Sequence, residues 1–323
     1  MVNLGACLNL PHLEADLTRV EAALRSAVAS EDPFLTEVAA HLIKAGGKRL
    51  RPALTVAAAA TVTDVTDPVV QGGVAVELVH LGSLYHDDVI DDAATRRGVE
   101  SVNARWGNLV AIVAGDFLLA RASELAAALG SEVAGVLGHT IGRLCEGQVV
   151  EMRTVFDVGR SEEAYMASIA GKTAALMAAS CRIGGLTAGA DEPTIAALTG
   201  VGQAFGMVFQ IVDDVLDVVG TEEQLGKPAG HDLEEGVYTL PTLRALAAEA
   251  AASEDLRALL GRPLEAPERD KARAIIRSTG GVDAALGVAR RFADQAVAAS
   301  APLGAAGAHL GALGHRLLDD LAA

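Results

Sequence analysis

An all-α fold is predicted, and three observations carry that expectation. Hydrophobic residues fill 51% of the 323 positions while aromatics fill only 3%, which fits helices packed through Ala, Leu and Val better than stacked sheets. Helix start and stop residues recur along the whole chain. No strand-like alternation of note, no repeat of fixed period and no low-complexity tail beyond Ala and Gly enrichment is present. The simplest organisation is a single helical domain over residues 1–323.

Taken in order, Asp32-Pro33 reads as a cap and first turn, followed by Phe34, Leu35, Val38, Leu42 and Ile43 at helical spacing and ended by Gly46-Gly47. Pro52 reopens a helix. Asp67-Pro68 starts another that should run through Asp91, and 103–130, 131–157 and 161–185 read as further long helical stretches. Glu192-Pro193 opens one that reaches Asp217. The span 220–238, with four glycines, Pro228 and mixed charges, is the longest loop-like stretch and a candidate lid or linker. Helical pattern then resumes to the C-terminus.

A net charge of −16 with few aromatics argues against a nucleic-acid partner, which needs bulk positive charge and stacking platforms. Cys7, Cys145 and Cys181 are odd in number and widely spaced, the pattern of a reducing cytoplasm without a zinc site. No basic stretch followed by an apolar one opens the chain, and the best membrane candidate, Leu109 to Ala120, is cut by Asp116 and too short to span.

Two pentads constrain function most. Asp87-Asp88-Val89-Ile90-Asp91 and Asp213-Asp214-Val215-Leu216-Asp217 stand far apart, and helical spacing puts the three carboxylates of each on nearly one face. Like charges cannot be buried unpaired, so each cluster faces solvent or holds cations. The flanks are apolar on every side, Leu78, Val79, Leu81 and Leu84 before the first and Val208, Phe209, Ile211 and Val212 before the second, unlike a surface helix. Oxygen-only ligands on rigid helices suit Mg²⁺, which shares its shell with water and phosphate oxygens. A diphosphate held between the two helices is therefore expected.

Cations for such an anion are concentrated locally. Gly46-Gly47-Lys48-Arg49-Leu50-Arg51-Pro52 joins close backbone approach to forked donors, although a helix C-terminus offset by cations would look the same. Arg96-Arg97-Gly98 follows the first pentad, Lys172-Thr173 sits in an apolar helix where a lone Lys needs a partner, and Lys227 follows the second pentad.

These pieces together resemble the trans-polyprenyl diphosphate synthases, over roughly 46–241. The resemblance rests on GGKRLRP, VELVHLGSLYHDDVIDDAATRRG, NARWGN with VAGDFLLARA, GKTAALM, FQIVDDVLD and GKPAGHDLEEGVYTLP. It implies a bundle of long helices around a large central cavity. It also implies condensation of isopentenyl diphosphate with an allylic diphosphate by ionisation, attack of the isopentenyl double bond, and proton loss. Asp87, Asp88, Asp91, Asp213, Asp214 and Asp217 match the two aspartate motifs that hold three Mg²⁺ on the allylic diphosphate. Arg96, Lys172 and Lys227 match contacts to that diphosphate, and Lys48, Arg51, His80 and Arg97 match the isopentenyl diphosphate site. Gln210 and the backbone at Lys172-Thr173 match groups facing the developing allylic cation. A homodimer is implied, and a lipid product implies peripheral contact with a membrane.

Ser83 and Gly82 lie four and five residues before Asp87, ~6–7.5 Å along the axis, and both are small. In the family bulky aromatics here floor the cavity, so an open passage continuing past Val79 and Val76 implies a product of roughly geranylgeranyl to heptaprenyl length. One departure stands out. Many relatives carry a lysine where this chain has Val237 in Gly236-Val237-Tyr238-Thr239-Leu240-Pro241. That keeps open a weakly active or non-catalytic subunit of a heteromeric synthase. A class I terpene cyclase shares the first pentad but usually mixes Asn, Ser or Thr with Glu in the second. A purely structural acidic bundle leaves the basic clusters unexplained.

Overall fold

The computed structural model describes Leu8, Leu10, residues 12–221, Glu223, and residues 229–249 and 251–322. Its principal helices are α1 (Leu13–Ala27), α2 (Leu50–Ala59), α3 (Asp67–Ile90), α4 (Asn108–Leu129), α5 (Ser131–Met152), α6 (Glu162–Ile169), α7 (Ala175–Thr187), α8 (Glu192–Val219), α9 (Leu240–Leu246), α10 (Ala266–Ser278), α11 (Gly281–Ser300) and α12 (Leu313–Ala322). A two-stranded hairpin, β1 (Thr95–Arg96) and β2 (Val99–Glu100), is the only sheet among the described residues.

The caps form as their sequences require. The Asp32 carboxylate accepts from the Phe34 and Leu35 amides ahead of a helix over Pro33–Ala39. The Ser161 hydroxyl accepts from the Ala164 amide and Asp191 from the Thr194 amide. Each such cap satisfies an otherwise orphaned donor and contributes about 1 kcal/mol.

Several expectations need correction. The stretch 103–130 is two helices, Val102–Trp106 and α4, because Gly107 at φ 89° breaks the run. Helix α5 stops at Met152 instead of Asp157, and the chain turns through Phe156 at φ 58°. The stretch 161–185 is one rod, but its middle, Ala170–Ala174, is a π-turn. The hairpin was not expected, since strands of two residues are too short to alternate. Arg97 and Gly98, at φ 55° and 77°, supply the left-handed pair that a tight hairpin turn demands. The span 220–238 contains a short helix, His231–Glu234, while residues 222 and 224–228 lie outside the described residues.

Two helices organise the core. Helix α3 packs against α1, α2, α4 and α7, and α8 against α7, α9, α11 and α12, with α7 touching both. Each is buried on all sides for most of its length, from Val69 to Tyr85 in α3 and from Ile195 to Val218 in α8. That explains flanks apolar all round. Both pentads fall at helix C-terminal ends, where the macrodipole is already negative and carboxylates are least welcome without a cation.

Leu109 to Ala120 is not the best membrane candidate. Two other stretches, Glu192–Val219 and Gly281–Leu321, are long and apolar enough by length and composition to cross a membrane. The first is α8, whose apolar window is 67% buried inside the protein. The second is interrupted by a 3-10 turn at Ala301–Leu303 and by Ala312 between helices.

Candidate active site

A cavity of about 800 Å³ opens where the ends of α3 and α8 face each other. Asp87 and Asp91 from α3 line it opposite Asp213 from α8. Asp91 is the C-cap of α3 and no longer helical, so the first pentad does not lie on one strict helical face.

The six aspartates sort into two sets, which spacing alone did not anticipate. Asp88 is fully buried and accepts from Arg96 Nε at 2.7 Å and Nη2 at 2.6 Å. Asp214 is buried, accepting from the Tyr165 hydroxyl at 2.5 Å and Gln210 Nε2 at 2.8 Å. Asp217 accepts from the His231 and Asp232 amides and so anchors the short helix that follows. These three do not line the larger cavity. Asp88, Asp214 and Asp217 are each bonded to protein donors, and of the three Asp214 lines a smaller cavity shared with Asp91. Asp87, Asp91 and Asp213 remain turned to the cavity.

The wall between the pentads comes from the π-turn. Gly147 of α5 meets it with no room for side chains: a Cβ on Gly147 would lie 2.5 Å from the Lys172 amide nitrogen, and one on Gly171 would lie 2.6 Å from the Arg143 carbonyl. This backbone contact and the extra residue of the π-turn aim Lys172 and Thr173 into the cavity. Lys172 Nζ bonds Glu151 Oε1 at 2.7 Å. Burial works against the Lys172 ammonium, but Glu151, Asp87 and Asp91 outweigh it and raise its pKa. Thr173 Oγ1 donates to Gln210 Oε1 at 2.7 Å, and Gln210 passes the chain on to Asp214.

Arg51, His80 and Arg96 form the basic part of the cavity's lining, with Arg96 next to the first pentad. Arg51 Nε is buried without a partner among the described residues, and burial, with Arg97 nearby, lowers the guanidinium to about 10 despite Glu77. Burial and then Arg51, Arg97, Arg96 and Arg49 push His80 well below its usual value, so it is a neutral imidazole. Arg96 lines the cavity while bound to Asp88. Arg97 is placed differently from expectation: Nη1 donates to the Leu42 carbonyl at 3.1 Å and to the Gly46 carbonyl, and Arg97 does not line the cavity. Lys48 is exposed on the turn before α2 and likewise outside the lining. Lys227 lies outside the described residues.

Of the chain-length residues only Ser83 lines the cavity, with Leu84, Leu144 and Leu176. Gly82 faces α4 instead, where a Cβ would meet the Gly115 carbonyl at 3.1 Å and Leu119 Cγ at 3.2 Å. Val79 is fully buried in the core around α3. The sequence reading also missed Glu151, Tyr165, Arg160 and Glu77. Glu77, 1% exposed, pairs with Arg49, itself at φ 46°, at 3.1 Å. A charged residue in an apolar helix, as in Val76-Glu77-Leu78, was the available clue.

The donor set fits a hard divalent cation. Burial lifts Asp87, with Glu151 and Asp88 adding to it. Enclosure, then Glu235, Asp87 and Glu151, lift Asp91 to about 6 against the pull of Lys172. Burial also lifts Asp214, behind the lining of the larger cavity, to about 7 in spite of its two donors. Carboxylates crowded enough to retain protons are relieved by a cation. Among the described residues no group of three or more His, Cys, Asp or Glu is placed to hold a metal ion by itself. Asp91 and Asp214 each bind protons more tightly folded than unfolded. Their stabilising contribution is complete below about pH 4 and is lost as pH rises through 6 to 7. Mg²⁺ added at pH 6 is accordingly expected to displace protons, making the calorimetric heat depend on the buffer's ionisation enthalpy, and to displace none at pH 9. Equal heats in all buffers at pH 6 would contradict the arrangement.

The sequence pattern of the family described as polyprenyl synthetase matches residues 32–277. The chain is 42% identical to heptaprenyl diphosphate synthase component 2 of Geobacillus stearothermophilus, over 88% of this chain and 89% of that one. It is 39% identical to nonaprenyl diphosphate synthase of Mycobacterium tuberculosis, over 91% and 89%. The crystal structure of polyprenyl synthase from Caulobacter crescentus CB15, complexed with calcium and isoprenyl diphosphate, superimposes with a TM-score of 0.87 at 36% identity, covering 93% of this chain and 94% of that one. With its two acidic helix ends set around one cavity, the chain belongs to the polyprenyl synthetase family, the trans-polyprenyl diphosphate synthases, and is a prenyltransferase.

Proposed function

We propose that the 800 Å³ cavity binds an allylic diphosphate between Asp87, Asp91, Asp213 and Lys172 and isopentenyl diphosphate at Arg51 and His80, and joins them head to tail. The observation that carries this reading is the presence of both acidic and basic side chains in the lining of one cavity. An all-carboxylate wall takes a diphosphate only as a metal complex, whereas Arg51, with its unpartnered Nε, takes a bare one. When bound, Mg²⁺ would neutralise the departing diphosphate as its bond to the allylic carbon breaks. Three ions are expected. Lys172 and Arg96 add positive charge where negative charge develops, which lowers the barrier because the interaction strengthens in the transition state. Gln210 lines the cavity, and its Oε1 has a second lone pair besides the one Thr173 engages, available to the carbon that becomes positive. The isopentenyl double bond attacks that carbon, and the proton lost from the isopentenyl unit leaves with the diphosphate. Asp88, Asp214 and Asp217 position neighbouring groups.

Ser83 at the apolar end supports a product of roughly geranylgeranyl to heptaprenyl length. Leu109, Ile112 and Val113 on α4 and Val149 and Met152 on α5 are exposed apolar side chains that support pairing of two copies. Cys145 and Cys181 are free thiols, as in a cytoplasmic protein.

The test incubates purified protein with Mg²⁺, isopentenyl diphosphate and each allylic primer, and resolves the products by length. Linear products in that range are expected. A cyclic hydrocarbon would overturn the reading. A second reading is favoured by one observation, that the relative at 42% identity is named component 2. Elongation that appears only when a second protein is added would establish it.

A further inference from the structure

Arg160 lies outside the machinery assigned so far. It is 6% exposed, packed with its guanidinium 5.6 Å from the centre of the Tyr165 ring. Nη1 donates to the Tyr238 carbonyl at 3.1 Å. Nε and Nη2 are buried and have no partner among the described residues. Those two nitrogens form one edge of the guanidinium, the edge that matches two oxygens of a phosphoryl group. The nearest carboxylates do not fill it, because Glu151 is bonded to Lys172 and Asp214 to Tyr165 and Gln210. A buried guanidinium with an empty fork is costly unless an anion completes it.

Arg160 borders a smaller cavity of about 150 Å³, lined among others by Val237 and Thr239. Asp91, Lys172, Thr173 and Gln210 line both this cavity and the larger one, so the two adjoin across these side chains. Asp91, Glu151, Asp214, Asp232 and Glu235 also line the smaller cavity. Such a wall repels a bare anion, so a diphosphate enters as its metal complex.

We propose that Arg160 is a further diphosphate-binding residue, whose Nε and Nη2 edge takes phosphoryl oxygens of the metal-bound diphosphate from the side where Val237 offers no charge. This rests on the function proposed above. Arg160 engages the leaving diphosphate, so its effect falls on the allylic substrate and not on isopentenyl diphosphate.

Inorganic pyrophosphate titrated calorimetrically in the presence of Mg²⁺ tests this, together with separate KM values for the two substrates. Arg160→Gln should weaken pyrophosphate binding about 10- to 100-fold and raise KM for the allylic diphosphate, with KM for isopentenyl diphosphate changed less than about twofold. Adding Val237→Lys to Arg160→Gln should recover at least part of the affinity, since that side chain lines the same cavity; an arginine that only braced Tyr238 would not be rescued so. Should Arg160→Gln fail to fold, Arg160→Lys carries the test, with an intermediate loss expected. Affinity within about twofold of wild type in the folded variant overturns the assignment. Wild-type protein that neither binds pyrophosphate nor elongates removes the functional reading and this one with it. Wild-type protein that does both beside an unchanged variant removes only this one.

Discussion

Asp87→Asn and Asp213→Asn are each expected to lower kcat/KM for elongation by about a thousandfold or more while leaving the fold intact or slightly more stable. Both side chains line the cavity from helix C-terminal ends. Removing a negative charge from such an end relieves an unfavourable dipole interaction, by about 0.3–1 kcal/mol. The same charge is what brings a divalent ion to the diphosphate, and losing a preorganised stabiliser of developing charge costs on the order of 10²–10³ in rate even without a metal. Stability and activity thus move in opposite directions, which a structural aspartate would not do. Asp217→Asn gives the contrast. Its oxygens accept from the His231 and Asp232 amides, and an amide side chain keeps one acceptor, so a loss of about tenfold is expected. Thermal melts beside steady-state kinetics check all three. Asp87→Asn retaining activity within tenfold would sink the assignment of the cavity.

Ser83→Phe is expected to remove the longest products and shift the distribution downward by at least one isoprene unit. Ser83 lines the cavity one helical turn before Asp87, beside Leu84, Leu144 and Leu176, and its hydroxyl donates to the His80 carbonyl. A phenyl ring there fills space the growing chain needs, and because the residue is half-buried toward the cavity the stability change stays within about 1 kcal/mol. Gly82 behaves differently. A Cβ there presses on the Gly115 carbonyl and Leu119, which offsets the roughly 1 kcal/mol that Ala gains over Gly inside a helix, so Gly82→Ala should change stability by no more than about 1 kcal/mol and leave product length unaltered. Products resolved by chain length, with melts for both variants, separate the two outcomes. Unchanged length in Ser83→Phe would remove Ser83 from the elongation path.

Much of this protein was readable from residue order because it depends on neighbours along the chain. The caps at Asp32, Ser161 and Asp191 form within three residues of themselves. Helices α3 and α8 follow from apolar runs that no surface helix would carry. Short features escaped for the same reason, since the hairpin at Arg96 and Arg97 and the break at Gly107 span too few residues to show a period.

Residue order therefore settled the helical class, the family and the two acidic helix ends, all of which rest on local propensity and on motifs read as strings. Which aspartates face the cavity was decided only in three dimensions, because Arg96, Tyr165, Gln210 and the amides after Gly230 had first to reach Asp88, Asp214 and Asp217. The same holds for Gly82 turning toward α4 and for Arg160 arriving beside Val237. A carboxylate's availability is set by the donors already around it, and most of those donors come from elsewhere in the chain.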